Sequence, residues 1–218
     1  MLSDEKKCIF VHIPKTGGTS MSVALGFSKS SRRDHRTIRQ IMPLSVCSHF
    51  RLLGMPPNNV YSRRDMLLSM IRSNKTRRLS KYKFDSYLKF TIVRNPWGRV
   101  FSWYKNCMRD KRHGIPECSF HDFVQNHISE NWALKPQLDW IIDFSGKVAV
   151  DRLLRFENLQ YDTESLFKDL GLGIAKLPHE LDSGAPPADY RFAYDTETKR
   201  TVAQKYEEEI DLFKYRFI

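Results

Sequence analysis

The sequence predicts an α/β fold: a central, mostly parallel sheet flanked by helices on both faces. Two observations predict it. Residues 8–13, 88–93 and 148–156 are short apolar runs that read as buried strands. Stretches with apolar residues at helical spacing follow each of them. Strands that alternate with helices lie parallel, because each crossover returns the chain to the same end of the sheet. The length of 218 residues suits one domain over 1–218, and 41% hydrophobic content with 12% aromatic fills one core. That composition excludes a largely disordered chain.

Taken in order, residues 8–13 end in Pro14-Lys15-Thr16-Gly17-Gly18, a strand breaking into a tight loop. Residues 19–27 read as a helix, with Met21, Ala24 and Leu25 at helical spacing. Residues 28–40 form a polar, basic connection, and 44–50 a second short strand. Residues 62–83 are helix-permissive and rich in Arg and Lys. The clearest strand signal, residues 88–93, stops at Arg94-Asn95-Pro96, where Pro96 suits the start of a helix. Val100, Phe101, Tyr104 and Met108 give that helix an apolar face. Ser119, with Asp122 three residues on, marks another helix start, and more helix is expected over 137–144. The strand at 148–156 precedes a helix from Glu157 or Leu159 to Leu170, closed by Gly171. A Pro/Gly-rich loop at 178–190 leads to a final amphipathic helix over 196–213.

The net charge of +11 asks for an anionic partner: nucleic acid, a phosphorylated cofactor or an acidic glycan. The cysteines, Cys8, Cys47, Cys107 and Cys118, include no C-x-x-C pair and read as reduced thiols of a cytoplasmic protein. Cys107, His113, Cys118 and His121 match no common zinc spacing, so no metal is expected. The N-terminus lacks the apolar run of a signal peptide. No window approaches the ~20 apolar residues of a membrane span.

The loop over 14–20 carries the chemistry. Backbone N–H groups can converge on phosphate only where small residues let them, ahead of a helix N-terminus. Gly17 and Gly18 with Thr16, Thr19, Ser20 and Lys15 supply these parts. In a Walker A loop the lysine follows the glycines, whereas Lys15 precedes them, so a nucleoside triphosphatase or ordinary kinase fits poorly.

The order P-K-T-G-G-T-S, led in by Phe10-Val11-His12-Ile13, closely resembles the 5′-phosphosulfate loop of sulfotransferases, and most of all their carbohydrate branch. That family binds the 3′-phosphate of its donor with an Arg at a strand end and a Ser eight residues later; Arg94 and Ser102 match. The resemblance implies a three-layer, P-loop-like sandwich. It also implies 3′-phosphoadenosine 5′-phosphosulfate as co-substrate and adenosine 3′,5′-bisphosphate as product. Lys15, Thr16, Gly17, Gly18, Thr19, Ser20, Arg94 and Ser102 then hold the donor. Arg99 either assists the 3′-phosphate or lies on a solvated face.

Sulfuryl transfer to a hydroxyl needs a base for the acceptor proton and a cation for the leaving phosphate. Lys15 is the cation. Among seven histidines, His49 ends the strand-like run 44–50 and so would face the crevice beyond the strand ends. It also matches the strand-end histidine that serves as base in many sulfotransferases. His12 reads as a packed core histidine and His35 as solvated. Residues 155–159 resemble a family segment packing near the adenine. Trp132 through Trp140, with Pro136-Gln137, resembles an acceptor-side segment of the carbohydrate branch, with a core-packing aromatic pair the plainer reading. Ser183, Tyr190 and Arg191 match a donor-closing segment loosely. The expected acceptor is a hydroxyl on a glycan or glycolipid, with the enzyme a monomer or homodimer and no membrane span. The competing readings are an inactive donor-binding module and a basic nucleic-acid binder. The second rests on residues 63–83, without a recognisable nucleic-acid-binding motif.

Overall fold

In the computed structural model, the described residues are 1–27, 34–43, 78–111, 113–129, 131–173 and 189–218. In chain order the strands and α-helices are β1 (Leu2–Ser3), β2 (Cys8–Val11), α1 (Gly18–Ala24), α2 (Ile38–Ile41), α3 (Lys81–Ser86), β3 (Leu88–Val93), α4 (Pro96–Asp110), α5 (Phe120–His127), α6 (Leu138–Ile141), β4 (Arg152–Arg155), α7 (Leu159–Asp169), α8 (Thr196–Lys205) and α9 (Glu207–Phe213). The strands form one sheet in the order β1-β2-β3-β4, and the class is α/β. Two units divide the chain: Met1–His12, Asp34–Thr91 and Leu138–Leu153 make the first, and Ile13–Arg33, Ile92–Gln137 and Leu154–Ile218 the second.

In the first unit, β2 and β3 pair in parallel from Cys8 opposite Leu88 to Val11 opposite Thr91. All four β2 residues are buried, as the unbroken apolar run requires of a strand covered on both faces. Phe10 and Phe90 face each other in this register and stack with centroids 4.9 Å apart. Thr91 Oγ1 donates to the Val11 carbonyl at 2.7 Å. The sheet is mixed, because β1 runs antiparallel to β2, pairing Leu2 with Ile9. A two-residue strand is too short to show periodicity, so only the folded chain reveals it. The helix α2 opens with a reciprocal capping box in which Thr37 N–H donates to Gln40 Oε1 at 2.8 Å.

In the second unit, α4 has Asn95 as its N-cap, accepting from Trp97 N–H at 3.1 Å, with Pro96 at the first position. Trp97, Val100, Trp103 and Cys107 recur at helical spacing and join Phe120, Phe123 and Val124 of α5 and Val202 of α8 in one apolar core. Ser119 caps α5 as the sequence predicts, accepting from Asp122 N–H at 3.1 Å.

Several expected boundaries shift. The final helix over 196–213 is two helices broken at Tyr206, whose φ is −117°. Tyr206 is fully buried and donates its hydroxyl to the Leu134 carbonyl at 2.7 Å, an anchor that outweighs helix continuity. Helix over 137–144 shrinks to α6, and the strand over 148–156 to β4, with Val148 in a lone bridge to Ile142. Gly171, at φ 65°, ends the turn after α7 as expected. The proposed strand at 44–50, His49, Cys47, the basic stretch through residue 77 and Ser183 lie outside the described residues.

Candidate functional site

The loop after β2 is tightened by its own atoms. Thr16, fully buried, donates its hydroxyl to the Ile13 carbonyl at 2.9 Å, so its side chain braces the turn. Gly17 is the residue before α1 and stands at φ 84°, the left-handed region where glycine carries no Cβ penalty. A Cβ there would lie 2.9 Å from Leu159 Cδ2 and 3.1 Å from Phe156 Cδ2. Conformation and space both demand glycine. Gly18 opens α1, and Thr19 and Ser20 occupy its first turn, half-buried.

Lys15 also has positive φ, at 67°, a strained choice for a residue with a Cβ. Its Nζ donates to Asn106 Oδ1 at 3.1 Å. Burial, then the nearby Arg94 and Arg109 charges, push the ammonium down to about 8. Its hydrogen-bond partner is a neutral amide, and among the described residues no carboxylate reaches ion-pair distance of it.

Arg94 stands one residue past the end of β3. Gln137 grips its backbone from both sides, accepting from Arg94 N–H and donating to the Arg94 carbonyl, each at 2.8 Å. Gln137 is itself buried and held by Glu209, which accepts from its side-chain amide at 2.9 Å. The guanidinium lies 4.0 Å from the centroid of the Phe156 ring and donates from Nη1 to the Lys15 carbonyl at 3.1 Å. Burial lowers Arg94 to about 10, only partly opposed by Glu157. Glu157 instead accepts from Asn95 N–H at 2.7 Å and from the Tyr215 hydroxyl at 3.2 Å. One bond to a carbonyl is thus the only hydrogen bond of the Arg94 fork among the described residues.

One ridge of α4 connects these two cations. Gly98, Ser102 and Asn106 follow at i, i+4 and i+8 on the same face, about 6 Å apart along the axis. A Cβ at Gly98 would sit 3.6 Å from Arg94 Nε and 3.4 Å from the Tyr190 ring, while Asn106 holds Lys15. Ser102, half-buried, lies between them on that ridge. The structure therefore brings together Lys15, Thr16, Gly17, Gly18, Arg94 and Ser102, every one in the second unit.

The sequence model described as "Sulfotransferase family" matches residues 1–216. The chain belongs to the sulfotransferase family. An uncharacterised protein of Archaeoglobus fulgidus is 36% identical over 107 residues, which are 48% of this chain and 81% of the relative. A crystal structure of a sulfotransferase from Alicyclobacillus acidocaldarius aligns over 95% of this chain and 96% of its own, with 18% identity and a TM-score of 0.42.

Arg99 corrects the sequence reading of this sulfotransferase. It neither meets solvent nor stands ready for a phosphate: it is 1% exposed and donates to the carbonyls of Pro14, Lys135 and Ala133 at 3.2, 2.9 and 2.6 Å. A basic residue one turn into a helix looks solvated in sequence; packing turns it into a brace for the loop and for residues 133–135.

In the first unit, His12 is buried and stacks on Phe10, as expected of a core histidine. His35 is half-buried rather than fully solvated: it sits 4.3 Å from the His12 ring, and burial lowers its affinity for a proton. Trp140 is buried and Trp132 half-exposed, and they belong to different units. Arg191 pairs with Asp189, while Tyr190 donates its hydroxyl to the Ile218 carbonyl at 2.7 Å. Burial raises the Cys8 and Cys107 thiols to about 11, which keeps both protonated at neutral pH. Among the described residues no helix is long and apolar enough to cross a membrane, and no metal-ligating cluster of three or more forms.

Sequence reasoning missed Asn106 and the roles of Gln137, which it placed in an acceptor-side segment, and Phe156. Asn106 was within reach, since it repeats the Gly98–Ser102 interval on one helix. Gln137 and Phe156 come from distant segments, and no local signal ties either of them to Arg94.

Proposed function

We propose that this sulfotransferase moves a sulfuryl group from 3′-phosphoadenosine 5′-phosphosulfate to a hydroxyl of a carbohydrate acceptor. The observation that carries this reading is a pair of cations, Lys15 and Arg94, both desolvated and neither matched by a carboxylate at bonding distance among the described residues. A desolvated cation without a counter-charge favours an anionic ligand. Two of them, joined through the Lys15 carbonyl, suit a ligand with two separate anionic groups.

In this reading residues 14–20 hold the 5′-phosphosulfate, and the Arg94 fork with the Ser102 hydroxyl holds the 3′-phosphate. Phe156, under the guanidinium, keeps Arg94 in place. The acceptor oxygen bonds to sulfur as the bond from sulfur to the bridging oxygen breaks, and the electron pair leaves with the 5′-phosphate. The Lys15 ammonium meets that charge, and His49 takes the hydroxyl proton. The products are a sulfate ester and adenosine 3′,5′-bisphosphate.

Incubation with labelled donor and an acceptor panel, followed by mass spectrometry, tests the reaction. A sulfated product with stoichiometric adenosine 3′,5′-bisphosphate is expected; no transfer and no nucleotide binding would remove the proposal. His49→Ala should abolish transfer while leaving nucleotide binding intact. Near-normal turnover in that variant would take His49 out of the mechanism.

A further inference from the structure

Both ends of the Asn106 amide are engaged. Its Oδ1 accepts from Lys15 Nζ at 3.1 Å, and its Nδ2 donates to Asp110 Oδ2 at 2.8 Å. A carboxylate only accepts, so Asp110 meets the nitrogen end of the amide and turns the oxygen toward the ammonium. Asn106 and Asp110 stand one turn apart on α4, so the helix itself sets their spacing. Asp110 is held in turn by Arg109, whose Nε donates to its Oδ1 at 2.6 Å. The Asn106 amide nitrogen also lies 3.4 Å from His113 Nε2. Carboxylate, amide and ammonium thus form a row, all within the second unit.

The middle member decides what the last can do. An ammonium offers three N–H donors, and one of them goes to Asn106. A neutral acceptor fixes Nζ while leaving its charge and its other donors to a ligand. A carboxylate in the same place would hold it more tightly and cancel that charge. Asp110, one amide removed, favours the charged form of Lys15 through its field alone. Arg94, past the end of β3, and Arg109 oppose it, while the Cys107 thiol of α4 stays protonated. Asn106 is the side chain that meets the ammonium at contact.

We propose that Asn106 is the positioning residue of Lys15: its amide, oriented by Asp110, holds the ammonium without neutralising it where the 5′-phosphate of the donor meets it. This rests on the reading of Lys15 as the cation at the 5′-phosphate. Asn106 acts through Lys15.

The test compares the full chain with its Asn106→Leu, Asn106→Asp and Lys15→Ala variants. Calorimetry from about pH 6.5 to 10 follows the affinity for adenosine 3′,5′-bisphosphate and for adenosine 3′-monophosphate, which has no 5′-phosphate. In the parent, bisphosphate affinity should fall with a midpoint near 8, and Lys15→Ala should lack that step. Asn106→Leu removes the acceptor of the ammonium and should lower the midpoint by about one pH unit. Asn106→Asp sets a carboxylate beside the ammonium and should raise it by about one pH unit. Its bisphosphate affinity at neutral pH should fall, because the new ion pair competes with the ligand. Adenosine 3′-monophosphate should bind both Asn106 variants within about twofold of the parent. Midpoints that stay near 8 in both variants, or move the same way in both, overturn the positioning role. So does an equal loss of the monophosphate, which marks a structural fault. In each of those cases a parent step that vanishes in Lys15→Ala leaves the donor reading standing. A parent that binds no bisphosphate, or binds it without the step, removes both.

Discussion

The Lys15 carbonyl accepts a hydrogen bond from Arg94 Nη1 at 3.1 Å. That bond joins the loop after β2 to the end of β3, two segments recognised separately in sequence. It also explains the strained backbone of Lys15: φ 67° is the conformation in which its carbonyl meets Arg94 while its side chain reaches Asn106.

Arg94→Ala should weaken adenosine 3′,5′-bisphosphate by about a hundredfold, since hydrogen bonds to charged groups contribute about 1.5–3 kcal/mol. Ser102→Ala should cost about tenfold. Adenosine 5′-monophosphate, without the 3′-phosphate, should lose far less in both variants. Calorimetry with the two nucleotides measures the difference, and equal losses would detach Arg94 and Ser102 from the 3′-phosphate.

Gly17→Ala places a Cβ at positive φ and against Leu159 and Phe156. The backbone strain alone costs about 1–3 kcal/mol, and the displaced Phe156 ring lies against Arg94. We expect a lower thermal midpoint and weakened nucleotide binding together. Gly26→Ala, also at positive φ but with open space around it, should lower the midpoint and spare binding.

Lys15 yields a pH dependence with opposite signs in binding and stability. Its ammonium is held at about 8, below the ordinary 10.5, so nucleotide affinity should fall as pH rises through 8 to 9.5. For folding, the unfolded chain holds the proton more tightly, so the Lys15 contribution to stability rises with pH between about 8 and 10.5. Titration calorimetry and denaturant unfolding across this range check both. Lys15→Ala should bind weakly and lose the step near 8.

Arg99→Met should destabilise the protein by about 3–5 kcal/mol, because it strips three carbonyls, those of Pro14 and Ala133 in buried bonds, of their donor. Denaturant unfolding measures this. A variant of normal stability with impaired nucleotide binding would return Arg99 to the phosphate.

The loop over 14–20 and the Arg94–Ser102 interval were legible because each is a local pattern with a local physical cause. Small residues permit the turn, a strand end presents an arginine, and a helix repeats its face every four residues. Strand β2 was legible for the same reason, its apolar run being continuous. Arg99 was misread because its partners, Pro14, Ala133 and Lys135, come from elsewhere in the chain. The break at Tyr206 escaped notice because a buried hydroxyl bond to Leu134 overrides an amphipathic pattern that continues through it.

The sequence by itself determined the class of this protein and singled out the loop over 14–20, Arg94 and Ser102 as candidates for its site. Tertiary structure decided which cations carry a structural role and which meet no carboxylate among the described residues. Arg94 and Arg99 sit five residues apart with the same side chain, yet one is saturated by carbonyls and the other makes a single bond among the described residues. That difference depends on which distant backbone groups arrive beside each guanidinium. It is settled by packing, since desolvation and hydrogen-bond geometry exist only once the chain has folded.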